Sequence, residues 1–308
     1  MYRRILVPLD GSAFAEAALP LALELSARTG ADLRLVTVLE PVTSYAYEGW
    51  EGAALDWTQR YLEDVLERID GDADGEVDHV VRNGHTVDTL QKEAEEWGAD
   101  VVVMASHGRG ALSRLWLGSV ADGFIRQADL PLLVVRPEDK AERVDDFSHS
   151  FRTILVPLDG SELSETALEH AIAFGELFGA TYHLTRVVSY PVDLASPYLP
   201  HTTQMNQEVV EDAKRSAAKY LQGQAAALRE RNLDVTTSVV TDPQPGRGVI
   251  AEVDEVDADM VAMATHGRRG LSRVMLGSTA DKVLRGLHKP LLLFRPAGED
   301  EATQDQET

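Results

Sequence analysis

Two loops of equal length carry the residues in this sequence that are best suited to chemistry. Residues 105–119 read ASHGRGALSRLWLGS, and residues 264–278 read ATHGRRGLSRVMLGS. Each loop follows a short apolar run that predicts a buried strand, and each precedes a helical pattern. Glycine allows close approach of a ligand, and the backbone N–H groups at a helix N-terminus favour an anion. The two loops therefore predict two sites that bind an anion such as a phosphate.

Basic side chains are concentrated in these loops, although the chain has a net charge of −22. They are His107, Arg109 and Arg114 in the first loop and His266, Arg268, Arg269 and Arg273 in the second. Local positive charge in an acidic chain favours a phosphate ligand, although Arg114 and Arg273 could equally pair with surface carboxylates. Neither histidine has a second histidine or a cysteine at ligand spacing, so no metal site made by the protein alone is expected.

A simpler interpretation of the same loops is purely structural. Ser119 could be no more than the N-cap of the following helix, and Gly108 and Gly110 could serve only to form a tight turn. The occurrence of the whole arrangement twice, at the same place in the predicted order of elements, favours anion binding over this alternative.

The chain is an internal duplication. Residues 4–12 (RILVPLDGS) return as residues 153–161 (TILVPLDGS), and residues 130–137 (LPLLVVRP) return as residues 289–296 (KPLLLFRP). Because these matches and the glycine loops occur in the same order, they indicate two complete domains. We predict a first repeat over residues 1–137, a charged linker over 138–150, a second repeat over 151–297 and a disordered acidic tail over 298–308.

Apolar runs alternate with helical patterns in both repeats. In the first repeat, strands are predicted near 3–8, 32–39, 77–81, 101–104 and 132–136, and helices over 15–28, 55–69, 86–97 and 119–127, with Thr86 as a cap. Strands that are apolar on both faces and alternate with helices indicate a parallel sheet covered on both sides. The predicted fold class is α/β, with two tandem doubly wound domains of five parallel strands each.

An aspartate closes the first strand of each repeat, Asp10 in one and Asp159 in the other. Ligands of open α/β sheets bind at the carboxyl ends of the strands, so these aspartates should face the same crevice as the glycine loops. Such a carboxylate could accept hydrogen bonds from ribose hydroxyls or an adenine amino group, or it could cap the next helix. No Gly-x-x-x-x-Gly-Lys-Ser/Thr is present, and the classical P-loop and dinucleotide fingerprints are both missing.

Composition excludes several classes of protein. The net charge of −22 disfavours nucleic acid as a partner, because phosphate backbones recruit basic surfaces. There is no cysteine, so disulfides and thiolate metal sites are excluded. No stretch approaches the ~20 apolar residues of a membrane span, and the apolar run near the N-terminus is too short for a signal peptide. We therefore expect a cytoplasmic protein with no membrane partner.

With these residues in view, the chain resembles the universal stress protein family in its tandem form, over nearly all of residues 1–296. The family's ATP-binding motif is Gly, two residues, Gly, nine residues, Gly, then Ser or Thr. Gly108 with Gly118 and Ser119 fits this spacing, as does Gly267 with Gly277 and Ser278. Ala105 and Ala264 stand where the motif has its first glycine.

The resemblance implies one adenine-nucleotide site in each repeat, with ATP as the ligand and Mg²⁺ held through its phosphates. In the first repeat the implied residues are Pro8, Asp10, Val38, Met104, Ala105, Gly108, Arg109, Gly118, Ser119 and Val120. In the second they are Pro157, Asp159, Val187, Met263, Ala264, Gly267, Arg268, Gly277, Ser278 and Thr279. The aspartates would contact the adenosine moiety. Val38 and Val187 would line the adenine pocket, and the methionines would flank it. The glycine loops would hold ribose and phosphates.

The resemblance also implies a strand order of 3-2-1-4-5 in each domain and pairing of domains through their fifth strands, either within this chain or in a homodimer. It implies an ATP-binding protein that acts in the stress response as a nucleotide-dependent signalling or protective module. No paired acid and base around a water are evident, so at most slow ATP hydrolysis is expected. The alternatives are a slow ATPase and an interaction protein of the same fold with degenerate sites. Because residues 110–111 are Gly-Ala and residues 269–270 are Arg-Gly, the two sites need not be equivalent.

Overall fold

The computed structural model describes residues 2–41, 50–106, 117–127, 130–136, 151–189, 202–265 and 276–295. The elements of the first repeat are β1 (Arg4–Pro8), α1 (Ala13–Glu16), α2 (Leu19–Thr29), β2 (Asp32–Leu39), α3 (Trp50–Ile69), β3 (Val77–Asn83), α4 (Thr86–Trp97), β4 (Val101–Ala105), α5 (Ser119–Gln127) and β5 (Leu132–Val135). Those of the second are β6 (Thr153–Pro157), α6 (Glu162–Gly175), β7 (Thr181–Val188), α7 (Thr202–Glu230), β8 (Val235–Thr241), α8 (Pro245–Glu255), β9 (Met260–Ala264), α9 (Ser278–Gly286) and β10 (Leu291–Phe294). The predicted α/β class is confirmed.

The central strands β4, β5, β9 and β10 are apolar on both faces because helices cover both sides of the sheet. In β1, Ile5 and Val7 pack into one buried cluster and Leu6 into the other. The first cluster lies under α1, α2, α3, α6 and α7, and we call this side the α2 face. The second lies under α4, α5, α8 and α9, and we call it the α5 face. Each cluster runs through both repeats, so the repeats share their cores.

The strands of the described residues form a sheet of ten in the order β3-β2-β1-β4-β5-β10-β9-β6-β7-β8. Within each repeat the neighbouring strands are parallel, and the first strand lies between the second and the fourth. This order places the end of β1 directly beside the ends of β2 and β4, where the predicted ligand residues lie.

The two repeats join through their fifth strands. β5 and β10 pair antiparallel, with Leu291 opposite Val134 and Leu293 opposite Leu132. Because this pair is antiparallel and the strands within each repeat are parallel, the carboxyl ends of the two sets of strands point to opposite edges of the sheet. The two predicted sites therefore lie at opposite edges.

The prediction of a single helix over residues 15–28 is wrong, because the structure has two helices, α1 and α2, in this region. Pro20 lies in the first turn of α2, where its missing N–H group costs no intrahelical hydrogen bond. A continuous helix would have placed this proline in its interior. Glu169 stands at the matching position of the second repeat, and α6 runs through it without a break.

The predicted cap of α4 is also wrong. The N-cap is His85, which makes no side-chain capping bond, and Thr86 is the first helical residue. The Thr86 hydroxyl instead donates a 2.6 Å hydrogen bond to Glu40, which follows β2. This bond and a second one from the Thr86 N–H lower the pKa of Glu40 below its ordinary value.

Two helical glycines of the second repeat should respond in opposite ways to alanine. A Cβ at Gly175 would lie 2.8 Å from Cε1 and Cζ of Tyr182, which is fully buried, whereas nothing lies within 4 Å of a Cβ at Gly223. We expect Gly175→Ala to lower the free energy of unfolding by about 1–3 kcal/mol through overpacking. Gly223→Ala should raise it by about 0.5–1 kcal/mol because alanine favours the helix. Urea denaturation measures both, and equal effects of the two changes would contradict the packing described around Tyr182.

Candidate functional site

The flanks of the two glycine loops have the same geometry. The Gly118 N–H donates to the Ser106 carbonyl at 2.8 Å, and the Gly277 N–H donates to the Thr265 carbonyl at 2.9 Å. Each bond ties the start of a helix to the end of a strand, so the loop between them begins and ends at fixed points. Gly108, Arg109, Gly267 and Arg268 belong to the intervening residues 107–116 and 266–275, which lie outside the described part of the chain, as do the loop histidines.

Glycine, not serine, occupies the N-cap position of the helix that follows each loop. The Gly118 carbonyl accepts a 2.9 Å bond from the Asp122 N–H, and the Gly277 carbonyl accepts a 2.8 Å bond from the Asp281 N–H. No side chain caps α9. The interpretation of Ser119 as a mere N-cap is therefore wrong, because Ser119 is the first residue of its helix and is exposed, and Ser278 has the same place in the second repeat.

This cap leaves a site for an anion. The first amides of an α-helix have no intrahelical acceptor, and the dipole of the helix places partial positive charge there. A glycine N-cap supplies no side-chain oxygen to satisfy those amides. The exposed serine hydroxyl at the first helical position adds another donor, so a phosphate can be bound by main-chain and side-chain groups together.

Asp10 fixes the turn between β1 and α1. Its Oδ1 accepts a 2.9 Å bond from the Ser12 N–H and a 2.6 Å bond from the Ser12 hydroxyl. Ser12 is the N-cap of α1, and its Oγ accepts a 3.2 Å bond from the Ala15 N–H. Gly11 between them has a φ of 81°, which glycine adopts without strain. Asp10 therefore acts on the helix indirectly, by orienting the serine that caps it.

The second repeat reproduces this turn. Asp159 Oδ1 accepts bonds of 2.9 and 2.5 Å from the Ser161 N–H and hydroxyl. Ser161 caps α6 through a 3.2 Å bond from the Ser164 N–H. The sequence left a ligand role and a capping role open for these aspartates, and the structure shows the capping role in this indirect form. The two carboxylates are thereby held at the strand ends in matching positions.

The apolar residues implied for the adenine pocket lie together. Val38, Met104 and Val120 all pack in the cluster on the α5 face. Val187 and Met263 belong to the same face in the second repeat. Pro8 and Pro157 end their strands in register with Val36 and Thr185, and Thr279 follows Ser278 in the first turn of α9. Each repeat thus has an apolar wall directly beside its helix N-terminus.

The alanines at the first motif position fit the fold without strain. Ala105 pairs with Val135 and Ala264 with Phe294, so both are extended strand residues. Among the described non-glycine residues, positive φ occurs at Asn232 and Asp257. Because the backbone at Ala105 and Ala264 is extended, a Cβ is tolerated there, and by strand alternation it lies on the opposite face from Met104 and Met263.

Two glycines near the second candidate site were not among the residues predicted from the sequence. A Cβ at Gly248 in α8 would lie 2.9 Å from Cγ1 of Val187, and a Cβ at Gly246 would lie 2.6 Å from Cβ of Lys282 and 3.1 Å from the Thr279 carbonyl. These glycines let α8 approach both the predicted adenine wall and α9. The signal available in the sequence was the pair of glycines that follows Pro245.

The two sites differ on the α2 face. In the second repeat, the guanidinium of Arg186 lies 5.1 Å from the ring centroid of Tyr220, whose hydroxyl donates a 2.7 Å bond to Glu165. Burial raises the pKa of Tyr220, the bond to Glu165 and the negative charge of Asp159 add to this, and Arg186 opposes it. Thr37 stands at the matching position of the first repeat, where its buried hydroxyl has no hydrogen-bond partner among the described residues. The two candidate sites therefore have different surroundings on the α2 face.

Within the described residues, no group of three or more His, Asp or Glu could hold a metal ion. None of the helices in the same part of the chain is long and apolar enough to cross a membrane. In each repeat, the carboxyl ends of the strands carry backbone amides, a serine hydroxyl, one carboxylate and an apolar wall. These groups suit a ligand with both an anionic and a flat apolar part.

A model of the universal stress protein family matches residues 1–136 and 150–295. The chain belongs to the universal stress protein family. The two matched segments correspond to the two repeats, so this is the tandem form of a universal stress protein.

Relatives of this universal stress protein share its full length or a part of it. A universal stress protein of Mycolicibacterium smegmatis is 28% identical over 306 residues, covering 95% of this chain and 97% of the relative. One of Mycobacterium tuberculosis is 34% identical over 198 residues, covering 64% of this chain and 62% of the relative, so the match spans less than two thirds of that protein's length. The crystal structure of a universal stress protein from Archaeoglobus fulgidus covers 96% of this chain and 98% of its own, with a TM-score of 0.72 at 18% identity. This likeness supports the fold.

The aspartate turn can be tested by stability alone. Asp159→Ala removes the acceptor of both Ser161 bonds, and we expect it to lower the free energy of unfolding by about 1 kcal/mol. Asp159→Asn keeps an oxygen that can accept both bonds, so its loss should stay below about 0.5 kcal/mol. Urea denaturation compares the two, and an equal loss in both variants would show that the turn depends on the charge rather than on the acceptor.

Proposed function

We propose that this universal stress protein binds adenine nucleotide, with ATP as the ligand, at one site in each repeat. We further propose that it acts in the stress response as a signalling or protective module governed by its nucleotide state. The observation that carries the proposal is the start of α5 and α9: a glycine N-cap tied to the end of the fourth strand, followed by an exposed serine.

The phosphates would lie at these helix starts. In the first repeat the donors would be the amides of Ser119 and Val120 and the Ser119 hydroxyl, together with Gly108 and Arg109 of the preceding loop. Ser278, Thr279, Gly267 and Arg268 would serve the second repeat in the same way. The acidic chain repels phosphate at long range, so these local donors must supply the attraction at the site itself.

The adenosine would lie between the helix start and the end of the first strand. Val38 and Met104 supply an apolar wall for the adenine on the α5 face. The Asp10 carboxylate, held by Ser12 at the adjacent strand end, would accept hydrogen bonds from the ribose or the base. Val187, Met263 and Asp159 would take the same roles in the second repeat.

Mg²⁺ would enter with the nucleotide. Because no acidic cluster among the described residues could hold a metal ion, its ligands would come from phosphate oxygens and water, as is common for Mg²⁺ in nucleotide sites. Amides and hydroxyls hold phosphates but do not take a proton from water, so the function proposed is binding rather than rapid hydrolysis.

The ligand can be identified directly. Protein purified from cells and then denatured should release adenine nucleotide, at up to two molecules per chain, which chromatography and mass spectrometry would identify. Protein that is purified without nucleotide should bind ATP-Mg in a calorimetric titration. Absence of released nucleotide together with absence of ATP-Mg binding would overturn the proposal.

A charge placed at each helix start tests the location. Ser119→Glu and Ser278→Glu add a carboxylate where the helix dipole favours it, so the fold should keep its stability. The same carboxylate repels phosphate, and we expect ATP affinity at the altered site to fall by at least about tenfold. Ser119→Gln and Ser278→Gln are matched neutral controls and should cost less than the charged variants. If the glutamates leave ATP affinity unchanged, the phosphates do not bind at these helix starts.

A further inference from the structure

The two repeats exchange arginine side chains across the β5–β10 junction. Arg136, the residue after β5, donates from one guanidinium nitrogen to the carbonyls of Leu284 and Arg285 at 3.1 and 3.0 Å. Arg295, the residue after β10, donates to the carbonyl of Arg126 at 2.5 Å. Each arginine therefore binds the last turn of the helix that begins at the opposite repeat's proposed phosphate site.

These bonds hold helix ends. The last carbonyls of a helix have no intrahelical donor and carry the negative end of the dipole, so a guanidinium there satisfies and stabilises them. Arg136 is partly buried, and this burial lowers its pKa from the ordinary value of an arginine. Loss of such a bond in a partly buried place leaves carbonyls without their donor, which costs more than loss of an exposed ion pair.

The same two helices also contact each other through charged side chains. Arg285 in the last turn of α9 lies 3.7 Å from Asp122 in the first turn of α5. Within α5, Arg126 binds Asp122 at 2.9 Å. Within α9, Arg285 binds Asp281 at the same distance. The hydrogen bond with Asp122 raises the pKa of Arg126, and the negative charge of Asp281 raises it further. The C-terminal turn of α9 therefore lies beside the N-terminal turn of α5.

Both helices are short. Each has nine residues, which corresponds to a length of about 13 Å. A rod of this length moves as a unit, so a shift of its last turn also displaces its first amides. The main-chain bond of the glycine N-cap is one of the contacts that anchor the first turn of each helix.

We propose that Arg136 and Arg295 are positioning residues that act across the junction: Arg136 sets the phosphate-binding helix α9 of the second repeat, and Arg295 sets α5 of the first. This inference rests on the proposed function. Because Arg136 lies at the edge of the sheet that carries the first site, it links that edge to the helix of the second site, and Arg295 makes the reciprocal link. Each proposed site would thus depend on an arginine of the other repeat.

The test uses full-length proteins with one working site. Ser278→Glu leaves the first site and Ser119→Glu leaves the second, and ATP-Mg affinity is measured by calorimetry in each. Arg136→Met should weaken binding at the second site by about three- to tenfold and leave the first within about twofold. Arg295→Met should do the reverse. Arg136→Lys, which keeps the charge but not the planar fork, should fall between Arg136→Met and the parent.

Two further measurements separate positioning from general destabilisation. Arg231→Met removes an exposed ion pair with Glu169 in the second repeat and should change neither site. Hydrogen exchange without nucleotide should show faster exchange of α9 amides in Arg136→Met and of α5 amides in Arg295→Met.

The proposal is supported if each arginine variant weakens ATP binding only at the site of the opposite repeat. Equal losses at both sites, a loss only in the arginine's own repeat, or no loss at all would each overturn it. If neither single-site protein nor the parent binds ATP, the proposed function fails and the positioning of a phosphate-binding helix fails with it. In that case the exchange data still report whether the arginines hold the opposite helices.

Discussion

Antiparallel pairing of β5 with β10 is the constraint on which the arrangement of both candidate sites depends. Within each repeat, parallel pairing brings the aspartate turn, the apolar wall and the glycine N-cap to one edge of the sheet. The junction then turns the second repeat around, so its edge points the other way. As a result α5 and α9 lie side by side in opposite directions, and the end of one reaches the start of the other.

The chemistry of each edge comes mostly from the main chain. Glycine at the N-cap gives the helix no side-chain acceptor, and the serine after it points into solvent. The aspartate at the first strand is already engaged in holding a serine N-cap, so it is presented in a fixed place rather than free to turn. An edge of this kind presents hydrogen-bond donors in fixed places without a reactive side chain.

Much of the fold was accessible from the sequence because its signals are local. Continuous apolar runs, such as 101–104, marked the buried parallel strands, and the repeated motifs marked the duplication. Features that depend on packing were not accessible in this way. The close approach of Gly248 to Val187 and the identity of the N-cap residues follow from three-dimensional contacts that no periodicity reports. The split at Pro20, in contrast, had a local signal in the proline itself, which the prediction of one helix over 15–28 did not use. Arg136 lies 148 and 149 residues from its two carbonyl partners, and nothing near it in the sequence indicates them.

The junction has a consequence for assembly. β5 and β10 are short apolar strands whose residues are almost entirely removed from solvent. A single repeat on its own would expose such a strand as an unpaired edge, which is a template for aggregation. Because the two repeats are covalently linked, each meets its partner at the high effective concentration of an intramolecular reaction. The fifth strands are thus occupied within one chain, and exchange of these strands between molecules would first require the two halves to separate.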